Sequence, residues 1–264
     1  MPVLAVSEEK CVAGGAANVA LNLKALGANV ETVGWFGDDE RGDELFDILG
    51  QRNIKVDQRF RFSTAPTISK SRVTSSNQQI CRVDREASTE SYSPDLKVLG
   101  SDISKKVKLA DAVIVSDYNK GFLYKQDMEY ISNNSKLSFL QTSKVLSDWC
   151  SGFNYIKINN YEYSNTIQFT SEEFLNRINL IITKGERGVT YKNKEFPISK
   201  PVMVRSLAGA GDTFLSALVV KFIQTNNIIR SIKFAQNCSK KAVSELGISV
   251  VGDFKTKKPK ITKN

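Results

Sequence analysis

The sequence contains no histidine. That excludes Ser-His-Asp and Cys-His catalysis and every histidine-ligated metal site, so proton transfer falls to a carboxylate, lysine, tyrosine or cysteine. The four cysteines, Cys11, Cys81, Cys150 and Cys238, stand far apart with no CxxC pair, which argues for free thiols over a metal cage or a disulfide framework. No apolar run approaches the roughly 18 residues of a membrane span. The opening Met1-Pro2-Val3-Leu4-Ala5 has no basic stretch ahead of an apolar core, so a cytoplasmic location is expected. Internal repeats are also lacking, and the lysine-rich end is the one biased segment.

What is present is an ordinary globular composition. The 264 residues are 41% hydrophobic and 25% charged, enough for one large domain with a proper core. The net charge of +9 is uneven, because the last twelve residues carry five lysines against one aspartate. The remaining excess is interspersed with acidic neighbours and forms no basic stripe with aromatics, so no nucleic-acid partner is expected. Residues 1–252 are read as one domain and 253–264 as a solvated basic tail.

Apolar spacing predicts a helix from Ala16 to Leu26, a short strand at Val30, Val33 and Trp35, and a second helix capped by Asp38 or Asp39 with Leu45, Ile48 and Leu49 inward. The runs at 112–115, 137–140, 155–158 and 180–182 read as buried strands. Strands alternating with helices imply a mainly parallel sheet covered on both faces. Between Val56 and Asp84 that rhythm breaks. This stretch is rich in Phe, Thr, Ile and Val, with turns at Thr64-Ala65-Pro66 and Ser75-Ser76-Asn77, so it is expected to form hairpins of a small β lid. Two long helices are expected at about Gly211–Gln224 and Ile228–Leu246.

Two glycine clusters carry the chemistry. In Ser206-Leu207-Ala208-Gly209-Ala210-Gly211-Asp212-Thr213 a small-residue loop enters an apolar helix, where free amides at the helix start form an anion site. Asp212 would repel a phosphate unless it accepts the proton of an incoming hydroxyl; a plain helix cap is the alternative. The earlier cluster, Ala13-Gly14-Gly15-Ala16-Ala17-Asn18, also opens a helix. Bare glycine backbone lets a polyol lie close while Asn18 offers a donor and an acceptor, or it serves close helix packing instead.

Together these segments resemble the ribokinase (PfkB-type) carbohydrate kinase family. The first signature of that family is matched from Ala13 to Ala20, with Gly27 and Gly37 following, and the second at Gly209-Ala210-Gly211-Asp212. Asn159-Asn160-Tyr161-Glu162 resembles the Asn-x-x-Glu element, and Thr183-Lys184-Gly185-Glu186-Arg187-Gly188 the nucleotide-contacting turn. Within the family the likeness is greatest to members that phosphorylate D-glycero-D-manno-heptose 7-phosphate at C1. It rests on Gly14 to Ala20, Leu26 to Asn29, the lid stretches Thr67 to Lys70, Asn77 to Gln79 and Arg82 to Asp84, and Ser116-Asp117-Tyr118-Asn119-Lys120-Gly121.

The resemblance implies a ribokinase-like α/β three-layer sandwich with a mainly parallel sheet and a small β lid. It implies Asp212 as catalytic base and the amides of Gly209, Ala210 and Gly211 as an anion hole. It implies Asn159, Thr183, Gly185 and Gly188 around ATP, and Mg2+ held through water by Glu162. For a phosphosugar, Gly14, Gly15, Asn18, Lys70, Arg82, Asp117 and Lys120 are the expected contacts, with Arg72 as a further cation. Asp117 and Lys120 would otherwise be an Asx turn and an exposed amine. Lid hairpins in this family pair two copies, so a homodimer is expected.

Three departures qualify the likeness. The opening strand with its Gly-Asp pair has no counterpart ahead of Gly14, which is expected to leave a hole in the sheet. Ser206-Leu207-Ala208 replaces Asp-x-Thr, putting in doubt the monovalent-cation site found there in relatives. Gln141-Thr142-Ser143-Lys144 replaces a strand-end aspartate followed by lysine. The expected function is an ATP-dependent sugar kinase acting on heptose 7-phosphate for ADP-heptose and lipopolysaccharide precursors. A kinase for another sugar, or a noncatalytic binder on the same scaffold, is the alternative. A dinucleotide oxidoreductase is disfavoured because GxGxxG after an opening strand is missing.

Overall fold

The computed structural model describes residues 5–75, 78–94, 100–200, 202–245 and 247–251. The basic tail, the lid turn at Ser76-Asn77 and Leu246 therefore lie outside the described residues. In chain order the helices are α1 (Gly15–Ala25), α2 (Glu40–Gly50), α3 (Ser101–Leu109), α4 (Lys125–Asn134), α5 (Asn160–Thr166), α6 (Glu172–Arg177), α7 (Ala210–Thr225) and α8 (Ile228–Ala242). The strands are β1 (Glu31–Thr32), β2 (Phe36–Gly37), β3 (Lys55–Val56), β4 (Arg61–Phe62), β5 (Ser69–Ser75), β6 (Gln78–Arg85), β7 (Val113–Asp117), β8 (Ser138–Thr142), β9 (Tyr155–Asn159), β10 (Leu180–Thr183), β11 (Val189–Tyr191) and β12 (Lys194–Phe196).

The main sheet runs β12-β11-β10-β9-β8-β7, with the four strands from β7 to β10 parallel. Strand alternation sends successive residues to opposite faces. Leu140, Ile156, Ile158, Leu180 and Ile182 point to a core shared with Met128 and Ile131 of α4, Ile103 and Val107 of α3 and Leu175 of α6. Phe139 and Ile181 point the other way, to Val19 and Leu23 of α1, Leu215 and Leu218 of α7 and Ile232 of α8. This is the expected three-layer arrangement.

Helix α7 is apolar around most of its circumference because neighbours enclose it, and Leu215, Ala217 and Leu218 are fully buried. Full burial of each leucine contributes roughly 1.5–3 kcal/mol. Asp39 caps α2 by accepting from Gly42 N at 2.9 Å.

The stretch from Val56 to Phe62 corrects the expectation of hairpins. β3 pairs parallel with β1, and β4 parallel with β2. The chain between β1 and β3 is a crossover carrying α2, so the returning strand keeps its direction. Only β5 and β6 form the hairpin, with a register shift after Val73.

β7 is the edge of the main sheet, and among the described residues no strand pairs with its outer side. A cleft of about 2280 Å³ runs between that edge and β1, lined by Val113, Ile114 and Val115 on one side and Glu31 and Thr32 on the other. Among the described residues the cleft lies where the gap in the sheet is expected. All five residues of β8 are buried, whereas Val113 and Ile114 of β7 are only half-buried.

Candidate active site

Parallel strands place their carboxyl ends along one side of a sheet, where α/β proteins gather their ligands. Here the ends line up by register: Asp117 beside Thr142, Gln141 beside Lys157, and Asn159 beside Thr183. The amino end of α7 reaches the same side. Gly209 caps α7 in the left-handed conformation (φ 76°), and an added Cβ would stand 2.7 Å from Asn18 Nδ2. At Gly211 an added Cβ would lie 2.9 Å from Lys157 Nζ. Gly209 is thus required by its left-handed backbone and by Asn18, while at Gly211 a methyl group would have to displace the end of the Lys157 side chain. Of the expected anion-hole amides, Ala210 N donates to Leu207 O at 3.4 Å, whereas helix geometry leaves Gly211 N and the neighbouring Asp212 N without intrahelical acceptors, where the helix dipole adds positive potential.

Asp212 lies on this first turn and is 5% exposed. Three donors from three elements hold its carboxylate. Asn18 Nδ2 of α1 donates to Oδ2 at 3.0 Å, the Tyr118 hydroxyl after β7 donates to Oδ1 at 2.5 Å, and Gln141 Nε2 of β8 donates to Oδ1 at 3.3 Å. Burial, followed by the charge of Asp212, pushes the Tyr118 pKa well up, so this phenol remains a donor. Lys157 Nζ in turn donates to Gln141 Oε1 at 2.9 Å. The result is an aimed carboxylate with one rim on the cleft, which Gly14, Gly15, Asp117, Tyr118, Gly209 and Asp212 line together.

Other expected contacts are placed differently. Asn18 is fully buried and spends its amide inside the protein, on Asp212 and on Asn22 Nδ2 at 3.0 Å, so it orients the carboxylate and does not offer itself to a polyol. Asp117 accepts from Lys144 Nζ and Thr142 Oγ1, each at 2.8 Å, and from Asn119 N at 3.1 Å. That is the Asx-turn alternative with a buried ion pair added. Lys120 pairs with Glu86 at 2.7 Å. In the lid, Lys70 and Arg82 both contact Asp84 at 2.8 Å, and Arg72 donates to Lys70 O at 3.3 Å. Lys70 and Arg72 line the cleft; Arg82 does not.

On the other side of Asp212, Asn159 and Glu162 form a capping box at α5, each accepting from the other's amide at 2.8 Å. The second Glu162 oxygen accepts from Ser143 Oγ at 3.1 Å. Thr183 ends β10, and Gly185 and Gly188 bracket the turn to β11, closed by Lys184 N donating to Gly188 O at 2.8 Å.

The pfkB family carbohydrate kinase model matches residues 1–251. The chain belongs to this family. As a pfkB carbohydrate kinase it is 31% identical over 94% of its length to the bifunctional protein HldE of Sulfurimonas denitrificans, covering 56% of that protein. It is 30% identical over 95% of its length to HldE of Hydrogenovibrio crunogenus, covering 55% of it. The chain thus spans just over half the length of these curated relatives. Among solved structures, ribokinase of Thermotoga maritima superposes with a TM-score of 0.70 at 20% identity, covering 89% of this chain and 83% of that one. Arabidopsis thaliana ribokinase complexed with ribose and ATP gives a TM-score of 0.70 at 16% identity, covering 89% and 81%. These structural likenesses establish the ribokinase-like fold.

Three residues of this pfkB kinase site have a role that the sequence does not assign: Tyr118, which appears there within the Ser116–Gly121 motif, Gln141, which appears as a departure from the strand-end aspartate, and Lys157. A signal existed for the last two. Strand alternation puts Gln141 on the face of Phe139, and a lysine amid Tyr155-Ile156-Lys157-Ile158 is a charge in a buried run. The motif holding Tyr118 does not reveal its partner, because Asp212 lies 94 residues away.

Proposed function

We propose that this kinase transfers the γ-phosphoryl group of ATP to the C1 hydroxyl of heptose 7-phosphate. The observation that carries the reading is the Asp212 carboxylate, held by three donors on the first turn of α7 with a rim on the cleft. The alcohol oxygen attacks phosphorus in line while its proton passes to Asp212. The new O–P bond forms as the bond to the bridging oxygen breaks, and that electron pair leaves on ADP. The Tyr118 hydroxyl, 2.5 Å from Oδ1, helps to hold the carboxylate in place for that proton. The Gly211 and Asp212 amides meet the charge growing on the phosphoryl oxygens.

The heptose assignment draws on the HldE relatives and on Lys70 and Arg72, which face the cleft and suit a sugar already carrying a phosphate. Glu162 fits Mg2+: its second oxygen has one hydroxyl donor as its contact, and a half-exposed carboxylate beside Asn159 suits a water-mediated hard cation. When bound, Mg2+ neutralises phosphate charge. Exposed Ile80 and Val83 on β6 support pairing of lids between two copies.

A second reading, binding without turnover, is favoured by the 2280 Å³ cleft beside β7, since kinases work in sites closed to water. ADP release with heptose 7-phosphate, run beside Asp212→Asn, separates the two. The kinase reading expects turnover that the variant abolishes; ADP release equal in both proteins, or none with any phosphosugar, refutes it.

A further inference from the structure

We propose that Lys157 is a positioning residue for phosphoryl transfer, acting on Asp212 through the side-chain amide of Gln141. The inference deepens the kinase reading of the same site. Ser116, Gln141 and Lys157 form a row across β7, β8 and β9, on the face that carries Phe139 toward α7. Lys157 is 4% exposed, and among the described residues its ammonium makes no ion pair. Its hydrogen bond goes to Gln141 Oε1, and the other end of that amide donates to Asp212 Oδ1.

The two ends of this relay differ in kind. An ammonium only donates and a carboxylate only accepts, so one orientation of the amide satisfies both. With the amide reversed, its NH2 group would face the ammonium and its oxygen the carboxylate, both repulsive. Lys157 and Asp212 therefore fix the amide from its two ends, so that Gln141 gives Asp212 a third donor. Burial lowers the Lys157 pKa, while the charges of Glu162 and Asp212 act to raise it.

A purely structural role would be served better by an apolar residue. A buried ammonium with one hydrogen bond and no ion pair costs stability, and an apolar side chain of similar volume removes that desolvation cost. Lys157→Met is accordingly expected to keep or raise the melting temperature while lowering the rate, an outcome that loss of packing does not produce.

The direct readout needs no turnover. In the full chain without ligands, the Gln141 side-chain amide is followed by 15N–1H NMR, assigned through its loss in Gln141→Leu. In Lys157→Met its hydrogen exchange is expected to quicken at least about tenfold, because the amide is freed to turn. An unchanged signal overturns the proposal. In the kinetic arm, Lys157→Met and Gln141→Leu each lower kcat about tenfold, with KM for ATP and sugar held within about threefold, and the double variant falls no further than either single. Losses that multiply overturn it. Should Lys157→Met fail to fold, Gln141→Leu decides: a drop of about tenfold supports the relay and one under about twofold overturns it. If the unmodified chain releases no ADP, the kinase reading fails while the amide measurement still judges the relay.

Discussion

At Gly209 an added Cβ would stand 2.7 Å from Asn18 Nδ2, whereas at Gly14 it would meet no heavy atom within 4 Å. The two glycine clusters flank one cleft, yet they use glycine for different ends. The later turn is filled by the protein itself: Asn18 presses on Gly209, Lys157 on Gly211, and the same side chains connect directly or through Gln141 to Asp212. The earlier loop leaves Gly14 bare toward the cleft, while at Gly15 an added Cβ would touch the Tyr118 ring at 3.5 Å. A preorganised carboxylate and amide turn stabilise charge without rearranging during reaction, while bare backbone leaves room for a ligand.

The sharpest way to break this comparison is Gly209→Ala. A methyl group there meets Asn18 and forces a left-handed backbone on a non-glycine residue, so unfolding free energy should drop by about 2–4 kcal/mol and turnover at least about a hundredfold. Denaturant titration and ADP release measure both. Loss of less than about 1 kcal/mol would mean that the turn is not packed as described. Next in size is Tyr118→Phe, which removes one donor to Asp212 and keeps the ring. It should cut kcat about tenfold with a stability change of about 1 kcal/mol or less. The smallest effect on the fold belongs to Gly14→Ala, expected within about 0.5 kcal/mol of the original in unfolding. Its mark should appear instead as a KM for the sugar raised about threefold or more, seen in initial-rate kinetics.

The same contrast explains what could be read in advance. α1, α7, the cores of β7 to β10 and the Asp39 cap follow from periodicity and capping chemistry, and the structure places them within a residue or two of expectation. α8 ends earlier than expected, at Ala242. Asp212 stood out because a carboxylate in an anion-binding turn needs a chemical reason. The partners that hold it were less visible. Asn18 looked like a ligand contact, and only the packing of α1 on α7 turns it toward Asp212. For Asp117 the sequence leaves a sugar contact and an Asx turn as alternatives, and Lys144 comes close enough to pair with it only once β7 and β8 are in register. β3 and β4 were misread for a related reason: two-residue strands carry too little alternation to declare their direction, which the crossover through α2 decides.

The central claim is that Asp212 takes the proton of the acceptor alcohol. Single-turnover ADP formation with heptose 7-phosphate and ATP, compared between the unmodified chain and Asp212→Asn at matched nucleotide occupancy, tests it most directly. A loss of at least about a thousandfold in the chemical step is expected, with ATP still bound. A variant that forms ADP at a rate within about tenfold of the original would contradict it.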